Sequence, residues 1–158
     1  MTDTLLAAQA AVRDALLASL QGVSIFKGLP LALIGGLADA MTEAPYAKDD
    51  YVFDQGDDGD AFYVILTGTA DVIRDEGTAD EKVLVELSDG ACFGERALLR
   101  SEPRFATVKA TSKLRTMSIT RKAFEERFGP LSMMVSEQYG GEGGDSGGGD
   151  HTGGTVIP

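Results

Sequence analysis

The stretch Gly90-Ala91-Cys92-Phe93-Gly94-Glu95-Arg96-Ala97-Leu98-Leu99-Arg100-Ser101-Glu102-Pro103-Arg104-Phe105-Ala106-Thr107-Val108 decides the fold, because it reads neither as a plain strand nor as a plain turn. Gly94 lets the backbone come close to another group. Ala97-Leu98-Leu99 can form one helical turn behind it, whose free N–H groups point back toward Gly94 and suit an anion. Glu95 can accept hydrogen bonds from hydroxyls, and Arg104 offers a planar donor fork that suits a phosphate. Two arrangements fit these residue types. Converging, the four features would bind a ribose phosphate; otherwise Glu95 and Arg104 pair with each other in a structured loop.

Working outward, short runs rich in Val, Ile, Tyr and Phe alternate with Gly/Asp turns from Pro45 to Thr120. The runs are 51–53, 61–66, 70–73, 83–87, 106–110 and 114–119, separated by clusters such as Gln55-Gly56-Asp57-Asp58-Gly59-Asp60 and Asp75-Glu76-Gly77. This spacing predicts an antiparallel sandwich or barrel, with Gly56, Gly59 and Gly68 serving turn geometry. Helices flank it. Leu5, Gln9, Val12, Leu16 and Leu20 recur at helical spacing, and a second helix starts at Pro30 with Leu33, Ile34, Leu37 and Met41 on one face. Gly35 and Gly36 should weaken that second helix and keep it short. Thr120 is a candidate N-cap for a helix over 121–128, Gly129 ends it, and Pro130 opens another that carries Leu131, Met134, Val135 and Gln138. The domain layout expected is an N-terminal helix (1–22), one domain (23–139) and a glycine-rich disordered tail (140–158), since 9 glycines fall between 140 and 154.

Composition narrows the function. The 158 residues carry 25 Asp+Glu against 14 Lys+Arg, a net charge of −11, which counts against binding nucleic acid through a broad basic face. Residues 96–127 reverse the sign, with 9 basic and 3 acidic groups, and one cationic stretch in an acidic protein suits a small anion. One cysteine (Cys92) and one histidine (His151, in the tail) exclude a disulfide framework and a Cys/His zinc cage within the chain. They also leave no Ser–His or Cys–His pair for nucleophilic catalysis in the core, so an enzyme is not expected. No apolar run reaches the ~18–20 residues of a membrane span, and no basic leader precedes Arg13. The expectation is a soluble, cytoplasmic protein. Glycines occupy the place where a transcription factor of this architecture would carry a helix-turn-helix.

The quoted stretch closely resembles the phosphate-binding cassette of the cyclic-nucleotide-binding domain family, with its Phe-Gly-Glu-x-Ala-Leu and Pro-Arg-x-Ala-Thr-Val elements. The Gln-Gly-Asp-x-Gly-Asp-x-Phe-Tyr-Val-Ile pattern of 55–65, followed by Gly68, and the segment 124–131 are similar to other parts of that family. The resemblance, over roughly residues 23–135, is to the regulatory domains of cyclic-nucleotide-dependent protein kinases. It implies an eight-stranded antiparallel jelly-roll sandwich with flanking helices, cyclic AMP or cyclic GMP as ligand without a metal, and a protein kinase in cis or in trans as partner. By position, Gly94 and Glu95 would hold the ribose 2′-hydroxyl and Arg104 the cyclic phosphate. Backbone N–H groups near Ala97, Leu98 and Ala106 would complete the phosphate site, with Phe93 and Phe105 as further contacts. The residue after the cassette arginine is usually small in cyclic-AMP binders and often Thr in cyclic-GMP binders. Phe105 brings no hydroxyl for guanine, so the lean is weakly to cyclic AMP. Its ring would lie along the base, block it, or face the core. The other function class left open is a domain of the same fold that binds no nucleotide and serves as a scaffold.

Overall fold

A computed structural model describes residues 2–135 and 156–157. The chain opens with helix α1 (Thr2–Gln21), a single 3-10 turn (Ser24–Phe26) and helix α2 (Leu31–Ala40). Pro30 stands in extended conformation just before α2 and its carbonyl accepts from Leu33 and Ile34 N–H, one residue earlier than the sequence placed it. Gly35 and Gly36 do more than limit this helix. A Cβ on Gly35 would lie 3.1 Å from Arg13 Nη2, and one on Gly36 would lie 3.1 Å from Phe128 Cε1. Both positions therefore let α2 sit close to its helical neighbours.

The strands are β1 (Thr42–Tyr46), β2 (Tyr51–Phe53), β3 (Asp58–Gly59), β4 (Ala61–Thr67), β5 (Ala70–Arg74), β6 (Lys82–Leu87), β7 (Cys92–Phe93), β8 (Glu102–Pro103), β9 (Thr107–Ala110) and β10 (Leu114–Thr120). Eight of them form two facing four-stranded sheets, ordered β1-β10-β4-β7 and β2-β9-β5-β6, all antiparallel, while β3 and β8 make a separate short ladder. This is the jelly-roll sandwich expected. β1 went unread because Thr42-Glu43-Ala44-Pro45-Tyr46 has no apolar alternation, and its proline is tolerated on a sheet edge. A further strand, β11 (Val156–Ile157), pairs in parallel with β7 at the opposite edge. The rest of the tail expected to be disordered lies outside the described residues. These two β-branched residues stand apart from its glycine-rich composition, and they are in a strand.

Helix α3 (Arg121–Phe128) starts where Thr120 Oγ1 accepts from Ala123 N–H at 3.1 Å, and Gly129, at φ 85°, closes it. Helix α4 (Leu131–Val135) follows. Gln138, expected on that helix, lies outside the described residues.

Two apolar clusters hold these layers. One joins the helices to the first sheet: Leu16, Leu20, Phe26, Ile34, Leu37, Phe124 and Leu131 pack on Phe62, Val64 and Ile119. The other fills the sandwich with Ile65, Val72, Leu87, Phe93, Val108 and Leu114. β4 thus contributes to both, which is why its run Ala61-Phe62-Tyr63-Val64-Ile65 is continuously apolar rather than alternating. The first half of α1 stays outside this packing, with Leu5 and Leu6 exposed.

Gly68, between β4 and β5, sits at φ 107°, and a Cβ there would come within 2.3 Å of the Lys113 carbonyl oxygen. Gly77, at φ 83°, has open space around that position. Gly68→Ala should therefore lose well over the ~1 kcal/mol that positive φ alone costs, and Gly77→Ala only about that amount. Urea denaturation of the two variants checks the ranking.

Candidate functional site

The quoted stretch folds as β7, a tight 3-10 turn (Glu95–Leu98), β8 and the entry to β9. Gly94 begins the turn at φ 82° and ψ 18°, a left-handed conformation that favours glycine. Its Cα hydrogen faces Arg104: a Cβ would lie 2.9 Å from Arg104 Nη1 and 3.0 Å from the Ala61 carbonyl oxygen. Gly59 closes on the same guanidinium from β3, where a Cβ would lie 2.9 Å from Arg104 Nε. The Phe53 ring lies beneath, its centroid 4.0 Å from Arg104 Cζ, and Arg104 Nη2 donates to the Ala61 carbonyl at 2.8 Å. The Arg104 backbone is held too, its N–H donating to Asp57 O at 2.7 Å and its carbonyl accepting from Gly56 N–H at 2.9 Å. Arg104 is only 7% exposed. Phe93, stacked on Tyr63 and near Phe53, floors the cluster from the sandwich interior.

Glu95 is equally buried, at 7%. The paired-loop arrangement is not what forms, because Glu95 Oε1 and Arg104 Nε are both buried without any hydrogen-bond partner. Burial raises the Glu95 carboxyl from an ordinary 4.5 to about 7, opposed by its own backbone N–H and by Arg96. Burial also lowers the Arg104 guanidinium from its usual value, while Tyr63, Asp60 and Asp57 oppose that shift. Cys92, just before the turn, is pushed up to about 12 by burial and then by the Glu95 charge, so its thiol is a packing group.

The structure sets Gly94 against Arg104, with Phe93 near the Phe53 ring beneath it and Glu95 next along the turn. Ala97, Leu98 and Ala106 are buried around them, but the Ala97 N–H donates to Gly94 O at 3.1 Å and so closes the turn instead of standing free. The N–H expected to help complete the phosphate site is thus the one that closes this tight turn. Phe105 does not face the core. It is 49% exposed. Gly59, Phe53 and the Ala61 carbonyl were missed as parts of this site, and the only signal for Gly59 was its place in the Gln-Gly-Asp-x-Gly-Asp pattern.

Around the turn, Arg96 and Arg100 both reach Glu102, at 3.1 Å and 2.6 Å. Arg121, first residue of α3, ties the site to the helices. Its N–H donates to Asp60 O at 2.7 Å and its Nη1 to Ala97 O at 3.1 Å. Among the described residues no group of three or more His, Cys, Asp and Glu gathers as metal ligands, and no helix is long and apolar enough to cross a membrane.

The family model of the cyclic nucleotide-binding domain matches residues 43–129. The cAMP-dependent protein kinase regulatory subunit of Blastocladiella emersonii is 39% identical over 112 residues, which are 67% of this chain and 28% of that protein. The cGMP-dependent protein kinase egl-4 of Caenorhabditis elegans is 35% identical over 120 residues, 75% of this chain and 15% of that one. The chain thus spans between about a seventh and under a third of these relatives. Among solved structures, the regulatory domain of Toxoplasma gondii PKA with cAMP superposes with a TM-score of 0.62 and 28% identity, covering 83% of this chain and 51% of that one.

The Glu95 shift sets a pH dependence. Its folded value lies above its unfolded one, so the protonated form contributes stability that is full below about 4.5 and lost as pH rises through about 7. Wild type should lose up to about 3 kcal/mol of stability across that window relative to Glu95→Gln. Denaturation of both proteins between pH 4.5 and pH 8 measures the difference.

Proposed function

The chain belongs to the cyclic nucleotide-binding domain family, and we propose that it is a regulatory module that binds a cyclic mononucleotide, cyclic AMP weakly over cyclic GMP, without catalysis of its own. Its output would be movement of the terminal helices that controls a protein kinase, in cis or in trans, in the cytoplasm. The names of the relatives support this reading. The observation that carries it is the pair of orphaned buried atoms, Oε1 of Glu95, which follows Gly94 in the turn, and Nε of Arg104, whose guanidinium Gly94 abuts. An unpaired buried polar atom costs about 1–3 kcal/mol, and the fold bears that cost twice at one place. A cyclic ribose phosphate answers both: a hydroxyl for the acid and phosphate oxygens for the guanidinium.

In this mechanism Glu95 accepts from the ribose 2′-hydroxyl and must be ionised to do so fully. Arg104 is already aimed, because Gly59, Gly94 and Phe53 leave its planar head one orientation and the Ala61 carbonyl fixes one end. Little rotamer entropy remains to be lost when the phosphate arrives. Any ligand that draws on the turn bears on Ala97 O, and through it on Arg121 and α3. Such a ligand shifts the helices only by as much as it prefers one of their arrangements.

A charge-assisted hydrogen bond is worth roughly 1.5–3 kcal/mol, so Arg104→Ala should weaken cyclic-AMP binding at least tenfold to a hundredfold, and Arg104→Lys should weaken it less. Titration calorimetry of the three proteins is the test, with 5′-AMP as the control ligand. A melting temperature unmoved by millimolar cyclic AMP or cyclic GMP in the wild type would favour the scaffold reading instead.

A further inference from the structure

Next to the buried arginine stands an aromatic ring that the fold orients and leaves open. Phe105 is 49% exposed although it directly follows Arg104, which is 7% exposed. The guanidinium of Arg74, the last residue of β5, lies over the Phe105 ring with Cζ 4.4 Å from its centroid. Arg74 Nη1 also donates to the Phe105 carbonyl oxygen, so one side chain holds both the ring and its backbone. The end of β5 is itself anchored to the loop around the arginine. Asp75 N–H donates to Gln55 Oε1 at 2.7 Å, Gln55 Nε2 returns to Asp75 Oδ1 at 3.0 Å, and Gln55 N–H donates to Thr107 Oγ1 at 2.9 Å. A phenylalanine fastened this firmly still leaves about half of its surface in water, and it stands one residue from the phosphate-type donor.

We propose that Phe105, oriented by Arg74, is the platform on which the base of the bound nucleotide stacks. The inference rests on the reading of the Arg104 site given above and adds what that site lacks, a contact for the base. Its chemistry is stacking rather than hydrogen-bond readout. Every base has a π-face, so the platform raises affinity for adenine and guanine nucleotides alike and contributes little to choosing between them. Arg74 does not read the base itself, since its guanidinium is committed to the ring, to the Phe105 carbonyl and to Asp75 at 3.8 Å. It is a positioning residue.

The chain contains no tryptophan, so Phe105→Trp installs a single reporter at the proposed contact. Cyclic AMP and cyclic GMP should each quench its fluorescence, with midpoints that match calorimetric dissociation constants. Base stacking on an aromatic is worth about 1–3 kcal/mol, so Phe105→Ala should weaken both ligands by about fivefold to a hundredfold and leave their ratio unchanged. In the Phe105→Trp background, Arg74→Ala should reduce the quenching and Arg74→Lys should partly restore it. Wild-type binding combined with undiminished affinity in Phe105→Ala, or with an unquenched Trp at 105, overturns the platform and leaves the Arg104 site standing. Absence of wild-type binding to either nucleotide overturns the site reading and the platform with it.

Discussion

The arrangement on which the rest of the site depends is a charged group packed where side chains normally exclude one. A guanidinium can be buried only if its faces meet something compatible and its edges find acceptors. Arg104 meets Phe53 with one face, the backbones of Gly59 and Gly94 close by, and the Ala61 carbonyl at one nitrogen. Each of those four partners comes from a different part of the chain, β2, β3, the cassette turn and β4, so the sandwich has to be complete before the arginine can be placed. The fold does not merely display the residue; it confines it.

That confinement separates the two charged groups of the site. Arg104 is held by the Ala61 carbonyl and the Phe53 ring, with Nε left without a partner. Glu95 is buried with one oxygen unanswered and takes up a proton near neutrality as a result. A site with both partners satisfied by each other would be a structural ion pair, and burying one would stabilise little. Because Glu95 and Arg104 do not satisfy each other, a buried acceptor and a buried donor both stay without a partner.

Local signals made much of this legible. The strands with Val, Ile, Tyr and Phe runs, the Thr120 cap and the cassette residues could all be read from neighbours in sequence. What could not be read depends on contacts between distant residues. Gly59 passed as a turn glycine, because nothing near it in sequence shows that an arginine 45 positions later presses against its Cα. Gly35 and Gly36 passed as helix breakers for the same reason, since Arg13 and Phe128 lie far away along the chain. β1 has no periodic pattern to find and exists because β10 offers it a ladder. Nothing near Phe105 in sequence shows that its ring stays half exposed against Arg74, a contact between residues 31 positions apart.

Arg121 has a further consequence. One residue grips the cassette turn through Ala97 O and the β3–β4 junction through Asp60 O, and the helix it begins lays Phe128 against Gly36 of α2. α2 in turn carries Asp39, which pairs with Arg13 of α1 at 2.8 Å. These contacts form a continuous path from the cassette turn through α3 and α2 to α1, whose early turns carry the uncovered Leu5 and Leu6.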